Sequence, residues 1–269
     1  MKPRYFLLAA LCVMLCACNR KAQPRDLVVY FSRTGNTEQL AQLFAEQTGA
    51  DLLRIVCETP YPDSYEATVA EARLEFRDGV CRPITNAPVD LDGYRRVYLG
   101  YPVWFGTIPP PVLSFVSGND FSGKDLVPFC TYGSGGRKSS SRALEKLLPE
   151  TRILGSFGIA ARRMAFAGEE VTDFLAGLGS GVADEGEGYC EPRPVEDSDR
   201  GVFLQATTDY AYLNLVPLMV SDRDGQGECS RIFVCESRMG DGPVSKVEVL
   251  ILQKGDGAPY LQSVEKLQD

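Results

Sequence analysis

The residues best suited to chemistry form one short run, Ser32-Arg33-Thr34-Gly35-Asn36-Thr37, between the apolar stretch Val28-Val29-Tyr30-Phe31 and a helical period. A phosphate can bind at such a turn without a fixed cation, because the amides of a helix N-terminus point at it with the favourable end of the dipole. Hydroxyl and amide side chains add hydrogen bonds, and Gly35 frees the backbone to curl around the anion. No Gly-Lys-Ser/Thr follows and the G-x-G-x-x-G spacing is absent, so neither a nucleotide P-loop nor a dinucleotide fingerprint is present. A single phosphate fits the run better. The plainer reading is that Ser, Thr and Asn only cap the helix.

Two further loops change that balance. One strand candidate ends in Gly100-Tyr101-Pro102-Val103-Trp104-Phe105-Gly106-Thr107, and the next in Thr131-Tyr132-Gly133-Ser134-Gly135-Gly136. Both fall at carboxyl ends of strands, where an open α/β sheet binds ligands beside its switch point. The three loops together describe a phosphate grip, an aromatic wall and a Gly-rich floor. Trp104 or Phe105 could stack on a planar ring for about 0.5 to 1.5 kcal/mol beyond area burial.

Composition narrows the chemistry. There is no histidine among the 269 residues, which removes His-ligated metals, Ser-His-Asp and Cys-His catalysis, and imidazole proton shuttles. Any reaction must come from a cofactor or from carboxylates, Lys, Tyr or thiols. The hydrophobic content of 44% is ample for a packed interior.

The elements that must position these loops follow a βαβ rhythm from Asp26 to Gly181. Strand candidates are Leu27 to Phe31, Leu52 to Cys57, Arg96 to Tyr101, Leu126 to Thr131 and Arg152 to Phe157. Helical periods run over Thr37 to Thr48, Ser64 to Arg77, Pro110 to Val116, Ser139 to Leu148 and Val171 to Leu178. This predicts a doubly wound, five-stranded parallel sheet over residues 26–183.

Residues 184–199 are acidic, carry Pro and Gly and show no apolar period, as a linker would. After residue 200 the pattern turns to period-two alternation, clearest in Lys246-Val247-Glu248-Val249-Leu250-Ile251, so residues 200–269 are expected to form a small antiparallel β-rich domain. A unit that small is marginal alone and should pack on the first domain or on a partner. Residues 184–269 hold 8 Lys+Arg against 17 Asp+Glu, nearly all the net negative charge, whereas residues 19–183 are close to neutral with 18 against 19. Asp222-Arg223-Asp224-Gly225 hints at a calcium loop, but its Gly falls two places early and a hairpin turn is the better reading. Nothing else suggests a metal, and no basic excess suggests nucleic acid.

At the N-terminus, Lys2 and Arg4 precede an uncharged run from Tyr5 to Cys18, too short to span a bilayer and laid out like a secretory signal. It closes on Leu15-Cys16-Ala17-Cys18, which resembles the lipobox of bacterial lipoproteins. The expectation is a signal peptide over 1–17, an acylated Cys18 as membrane anchor, and a polar tether over 18–25. The protein would then lie in the cell envelope outside the cytoplasm. The remaining cysteines, Cys57, Cys81, Cys130, Cys190, Cys229 and Cys235, permit disulfides whose pairing the sequence cannot choose. Cys130 reads as a buried thiol, and Cys229 and Cys235, on one strand, should not pair with each other.

The three loops, in this order over residues 26 to 180, resemble the flavodoxin family, in particular its bacterial lipoprotein branch. The segments YPVWFGTIPPPVLSF and FSGKDLVPFCTYGSGG carry the likeness. The resemblance implies FMN, a flavodoxin-like sheet in the order 2-1-3-4-5, and one- or two-electron redox chemistry. By position, Ser32, Thr34, Gly35, Asn36 and Thr37 match the phosphate loop, with Arg33 as its variable member. Pro102, Val103, Trp104, Phe105, Gly106 and Thr107 match the loop around the flavin ring, with the Phe105-Gly106 backbone expected to meet flavin N5. Thr131, Tyr132, Gly133, Ser134 and Gly135 match the third loop. Relatives often place His where this chain has Tyr132, and soluble shuttle flavodoxins tend to be strongly acidic where this domain is neutral.

Three functions compete on these grounds. The first is a membrane-tethered electron-transfer flavoprotein working between redox protein partners. The second is an FMN-dependent NAD(P)H:quinone-type oxidoreductase, with Tyr132 and Thr107 orienting a small acceptor. The third is a non-redox, partner-binding lipoprotein with a vestigial flavin site, against which the intact loop residues argue.

Overall fold

A computed structural model describes residues 25–178, 189–224, 228–238 and 243–267. The expected signal, Cys18 and nearly all of the tether lie outside them, as do residues 184–188 of the acidic segment. Among the described residues no helix is long and apolar enough to cross a membrane.

The first domain is the expected parallel sheet. Strands β1 (Arg25–Tyr30), β2 (Asp51–Arg54), β3 (Tyr94–Pro102), β4 (Asp125–Tyr132) and β5 (Arg152–Ile153) lie in the order β2-β1-β3-β4-β5, and β6 (Phe157–Ala160) continues the outer position by pairing again with β4. The fifth strand is broken between its halves at Leu154 to Ser156, where Gly155 has φ 148. Helices α1 (Asn36–Thr48), α2 (Tyr65–Asp78), α3 (Pro110–Ser117) and α4 (Arg137–Leu147) make the crossovers, and α5 (Ala167–Gly177) follows the last strand.

The sequence periods explain this packing. In α1 the buried residues Thr37, Leu40, Ala41 and Phe44 fall at helical spacing. Gly35 and Gly49 close its two ends with left-handed backbone. Every residue of β4 is buried, as a central parallel strand covered on both faces requires. Alternate residues serve two cores: Val29, Leu99, Tyr101 and Cys130 face Val112 and Phe115 of α3, while Val28, Tyr98 and Phe129 face Leu40 and Phe44 of α1. Register sets the strand ends level, since Tyr30 pairs with Gly100 and Gly100 with Phe129. The loops leaving β1, β3 and β4 therefore emerge side by side.

The second domain is a five-stranded antiparallel sheet in the order β11-β10-β9-β8-β7, formed by β7 (Arg193–Pro194), β8 (Leu215–Asp224), β9 (Glu228–Ser237), β10 (Ser245–Lys254) and β11 (Tyr260–Lys266). The structure differs from the sequence reading here in two ways. The domain begins inside the acidic segment, at β7, and one face of its sheet is covered by a helix, α6 (Asp197–Thr207), whose Phe203 and Ala206 pack on Val220, Phe233 and Val249. The acids read as linker are the helix start: Glu196 and Asp199 form a reciprocal capping box, and Asp197 sits in the first turn. Negative charge there complements the helix dipole. Cys235 is buried among the residues that face α6, and Cys130 is buried in the first domain.

The second domain docks on the first. Arg162 stacks 3.7 Å above the Tyr210 ring and pairs with Asp209 at 2.9 Å, Arg163 stacks 3.5 Å above Tyr260, and Lys138 Nζ meets Glu248 at 2.8 Å.

Candidate functional site

The loops after β1, β3 and β4 enclose one cleft of about 490 Å³. Its walls include Thr34, Asn36 and Thr37 from the first loop, Pro102, Val103, Trp104 and Phe105 from the second, and Thr131, Tyr132 and Gly133 from the third. Residues separated by about a hundred positions meet because the strands are parallel and in register.

At one end lies the N-terminus of α1. Its first intrahelical bond runs from the Gln39 N–H to the Gly35 carbonyl, and no side chain caps the turn. The amides of Asn36, Thr37 and Glu38 precede that bond and have no acceptor within the helix. The Ser32 hydroxyl, buried, accepts from the Gly35 N–H at 3.1 Å and so shapes the turn. The hydroxyls of Thr37 and Thr131 are hydrogen-bonded at 2.8 Å, both buried, joining the first loop to the third. The Arg33 guanidinium is tied to the carbonyl oxygens of Pro62 and Asp63 at 2.9 and 2.6 Å.

The second loop is a tight two-residue turn. Trp104 and Thr107 exchange both backbone hydrogen bonds, at 3.1 and 3.0 Å, and Phe105 and Gly106 both have positive φ, 50° and 76°. That is the geometry of a type I′ turn, natural for Gly at the second central position and strained for Phe at the first. The two aromatics divide the work. Trp104 turns into the core, edge-on to Phe31 at 5.7 Å and to Tyr61 at 4.9 Å, while Phe105 is 51% exposed and rests on Phe76 and Arg73.

The third loop divides too. Thr131, Tyr132 and Gly133 line the cleft, but Ser134 and Gly135 face the second domain. The Ser134 carbonyl accepts from the Val264 N–H at 2.8 Å, and a Cβ on Gly135 would lie 1.9 Å from the Val264 oxygen. The Tyr132 hydroxyl donates to the Gln262 carbonyl at 2.7 Å. That bond directs the phenol at β11, while the residue also lines the cleft. Thr107 serves the turn through its backbone and is not among the residues of the cleft wall.

The sequence reading missed the wall supplied by α2, where Tyr65, Thr68, Val69, Ala72 and Arg73 line the cleft, and missed Ala161. The start of α2 follows β2, so the strand-end rule applied to β2 would have found it. Burial shapes the surrounding titrations: it pushes the Cys130 thiol up to about 12 and raises the Tyr101 phenol, whose hydroxyl is hydrogen-bonded to Ser140 at 3.2 Å.

The cleft suits a phosphorylated planar ligand. A methyl added to Gly35 or Gly133 would meet nothing within 4 Å, so open space adjoins both the helix terminus and the third loop. The phosphate end offers neutral amides and hydroxyls, which can hold an anion without a paired cation, and Arg33 and Arg73 also line the cleft.

Comparisons with known proteins agree with this architecture. A family model described as flavodoxin matches residues 25–158. A solved structure from Bacteroides uniformis, assigned as a flavoprotein, superposes with a TM-score of 0.51 at 23% identity, covering 55% of this chain and 97% of its own. A second, from Bacteroides eggerthii and assigned likewise, gives 0.49 at 25% identity over 57% of this chain and 99% of its own. A Lactobacillus acidophilus flavoprotein in complex with FMN gives 0.46 at 16% identity, over 57% and 99%. No curated protein matches the sequence.

Proposed function

The first domain of this chain belongs to the flavodoxin family, and from that premise we propose that it holds FMN in the cleft and passes electrons at a membrane surface. The observation that carries this reading is the convergence of three strand-end loops on one cleft whose helix terminus lacks a side-chain cap.

In this reading the amides at the start of α1, with Thr34, Asn36 and Thr37, take the phosphate. Ser32 holds the Gly35 turn. The turn from Pro102 to Thr107 and the Thr131–Gly133 stretch hold the ring. FMN, once bound, supplies one- and two-electron redox chemistry. The protein's part is to bind it, orient it and limit water. Phe105 is the exposed aromatic cover, and Trp104 stiffens the turn from behind through Phe31 and Tyr61. With no histidine in the chain and the Tyr132 phenol bonded to Gln262, the polar groups that the second loop would offer the ring's reacting edge are the main-chain N–H groups of Phe105 and Gly106. That favours electron transfer over reactions needing a side-chain acid.

Lipidation of Cys18 would place this chemistry outside the cytoplasm, at a membrane, with a redox protein partner or a quinone-like acceptor. Acyl chains contribute about 0.8 kcal/mol per buried CH₂, so several together make a durable anchor. Labelling with a radioactive fatty acid checks it, and a label that persists in C18A would sink it.

The central test uses the chain from Arg25 onward. FMN titration should show micromolar or tighter binding, followed by slow turnover with NAD(P)H alone. Repeated turnover with NAD(P)H and a quinone would make the protein a reductase instead. Failure to bind FMN would remove both readings and leave a partner-binding module.

A further inference from the structure

We propose that strand β11 of the second domain is a working part of the cleft: it clamps the Tyr132–Gly136 loop, with Glu265 as the positioning residue, and so sets how tightly the cleft holds FMN. This rests on the FMN reading above.

Helix α4 begins immediately after that loop and has no cap of its own. Its N-cap is Gly136, no side chain of its own segment caps it, and its first turn contains no acid. The missing acceptor comes from about 130 residues away. Oε1 of Glu265 accepts from the Gly136 and Lys138 amides at 3.1 Å each, with the residue only 7% exposed. A carboxylate on two amides at a helix start is both charge-assisted and aligned with the dipole. On the same strand, the Val264 N–H holds the Ser134 carbonyl and the Gln262 carbonyl holds the Tyr132 hydroxyl. Three successive grips thus fall on one five-residue loop.

The grip reaches the second loop as well. Gly136 packs so closely that a Cβ there would lie 2.5 Å from Val103 Cγ1 and 3.3 Å from Gly106 Cα. Ser139, in the first turn of α4, donates to the Gly106 carbonyl at 2.6 Å. Glu265 therefore fixes the start of α4, and the start of α4 fixes the Phe105-Gly106 turn. Docking of the domain does not depend on Glu265 alone, because Arg162 with Asp209 and Tyr210, and Arg163 with Tyr260, hold the interface elsewhere.

The test compares E265A, E265Q and the interface control D209A in the chain from Arg25 onward. FMN dissociation constants are read by flavin fluorescence, and amide hydrogen exchange is read in the ligand-free protein. E265A should bind FMN about tenfold more weakly, with faster exchange at Gly136 and Lys138. E265Q, which keeps an acceptor oxygen, should recover most of the affinity, and D209A should bind like wild type. Should E265A fail to fold, E265Q and Y132F carry the test, with Y132F expected to bind about threefold more weakly through loss of one neutral hydrogen bond. Equal affinity of E265A and wild type overturns the clamp, as does an equal loss in D209A; in the fallback, wild-type affinity of Y132F does so. Wild-type protein that takes up no FMN overturns the FMN reading itself, so the two failures are distinct.

Discussion

Gly135 abuts the main chain of Val264 so closely that a Cβ on it would lie 1.9 Å from the Val264 oxygen and 2.6 Å from its nitrogen. Backbone cannot move aside as a flexible side chain can, so G135A must part the two domains along β11 or distort the loop. Overpacking of this kind costs roughly 1 to 3 kcal/mol. Thermal unfolding should show a fall of several degrees for G135A, and FMN affinity should fall with it. G133A, whose Cβ meets nothing within 4 Å, should melt like wild type. Equal melting of G135A and wild type would contradict the packing described.

The buried Thr37–Thr131 hydroxyl pair, 2.8 Å apart, supports a second prediction. T37V keeps the shape of the side chain but removes one hydroxyl from the phosphate end and leaves the other without its partner. A hydrogen bond of this kind is worth about 1 kcal/mol, more toward a charged group. FMN binding should weaken about tenfold or more, while riboflavin, which lacks the phosphate, should bind the variant and wild type alike. A parallel loss for riboflavin would mean that the threonine serves the ring and not the phosphate.

The parallel sheet was legible because its signals are local. β4 is an unbroken apolar run, α1 repeats at 37, 40, 41 and 44, and the loops at strand ends carry the residue types that a ligand needs. The partition of the third loop was not legible. Gly135 announces that something must come close, but nothing in its neighbourhood says that the partner is a strand about 130 residues later. Helix α6 was hidden differently: Glu196, Asp197 and Asp199 are both what a linker contains and what a helix start prefers. Composition alone does not separate the two, and Glu196-Asp197-Ser198-Asp199 departs from the Ser/Thr-x-x-Glu/Gln signature that would have marked a capping box.

That capping box also carries a pH dependence. Arg193 donates to both oxygens of Asp199, at 2.6 and 3.0 Å, and the Glu196 N–H adds a third bond at 2.9 Å. The Arg193 guanidinium, followed by that backbone bond, holds the carboxyl below the usual carboxylate range. A depressed folded-state value means that the unfolded chain binds more protons, so the stabilisation is present above the ordinary value of about 3.9 and is lost as pH falls through the folded one. D199N should lower stability at pH 7 by about 1 to 3 kcal/mol and flatten the acid limb. Urea unfolding between roughly pH 3 and 6 reads both effects, and an unchanged limb would mean that Asp199 is not the group responsible.

The thiols should separate by burial. Burial pushes Cys130 and Cys235 up to about 12 and raises Cys57, whereas Cys81 and Cys190 are exposed. Only the thiolate reacts. Near pH 8, a thiol reagent followed by peptide mass analysis should mark Cys81 and Cys190 quickly and reach Cys130 and Cys235 only after unfolding. For the buried pair, folding favours the protonated form. That contribution is present below the unfolded value of about 8.5 and is lost as pH rises toward the folded one. Prompt labelling of Cys130 in the folded protein would show that β4 opens far more readily than its burial implies.

Phe105 offers the sharpest separation of stability from function. Its φ of 50° is a conformation that Gly and Asn adopt easily and that costs an aromatic residue on the order of 1 kcal/mol. Its side chain, half exposed, regains a similar amount from Phe76 at 5.2 Å and from Arg73 at 5.7 Å, since such contacts are worth about 0.5 to 1.5 kcal/mol. The two nearly cancel, so fold stability alone gives no reason to keep Phe at this position. F105N should therefore leave the melting temperature of the ligand-free protein within a few degrees of wild type. If the residue is kept to cover the ring, the same variant should bind FMN several-fold more weakly, with the change seen mainly as faster dissociation in stopped-flow fluorescence. A large drop in melting temperature with unaltered FMN dissociation would reassign Phe105 from the site to the fold.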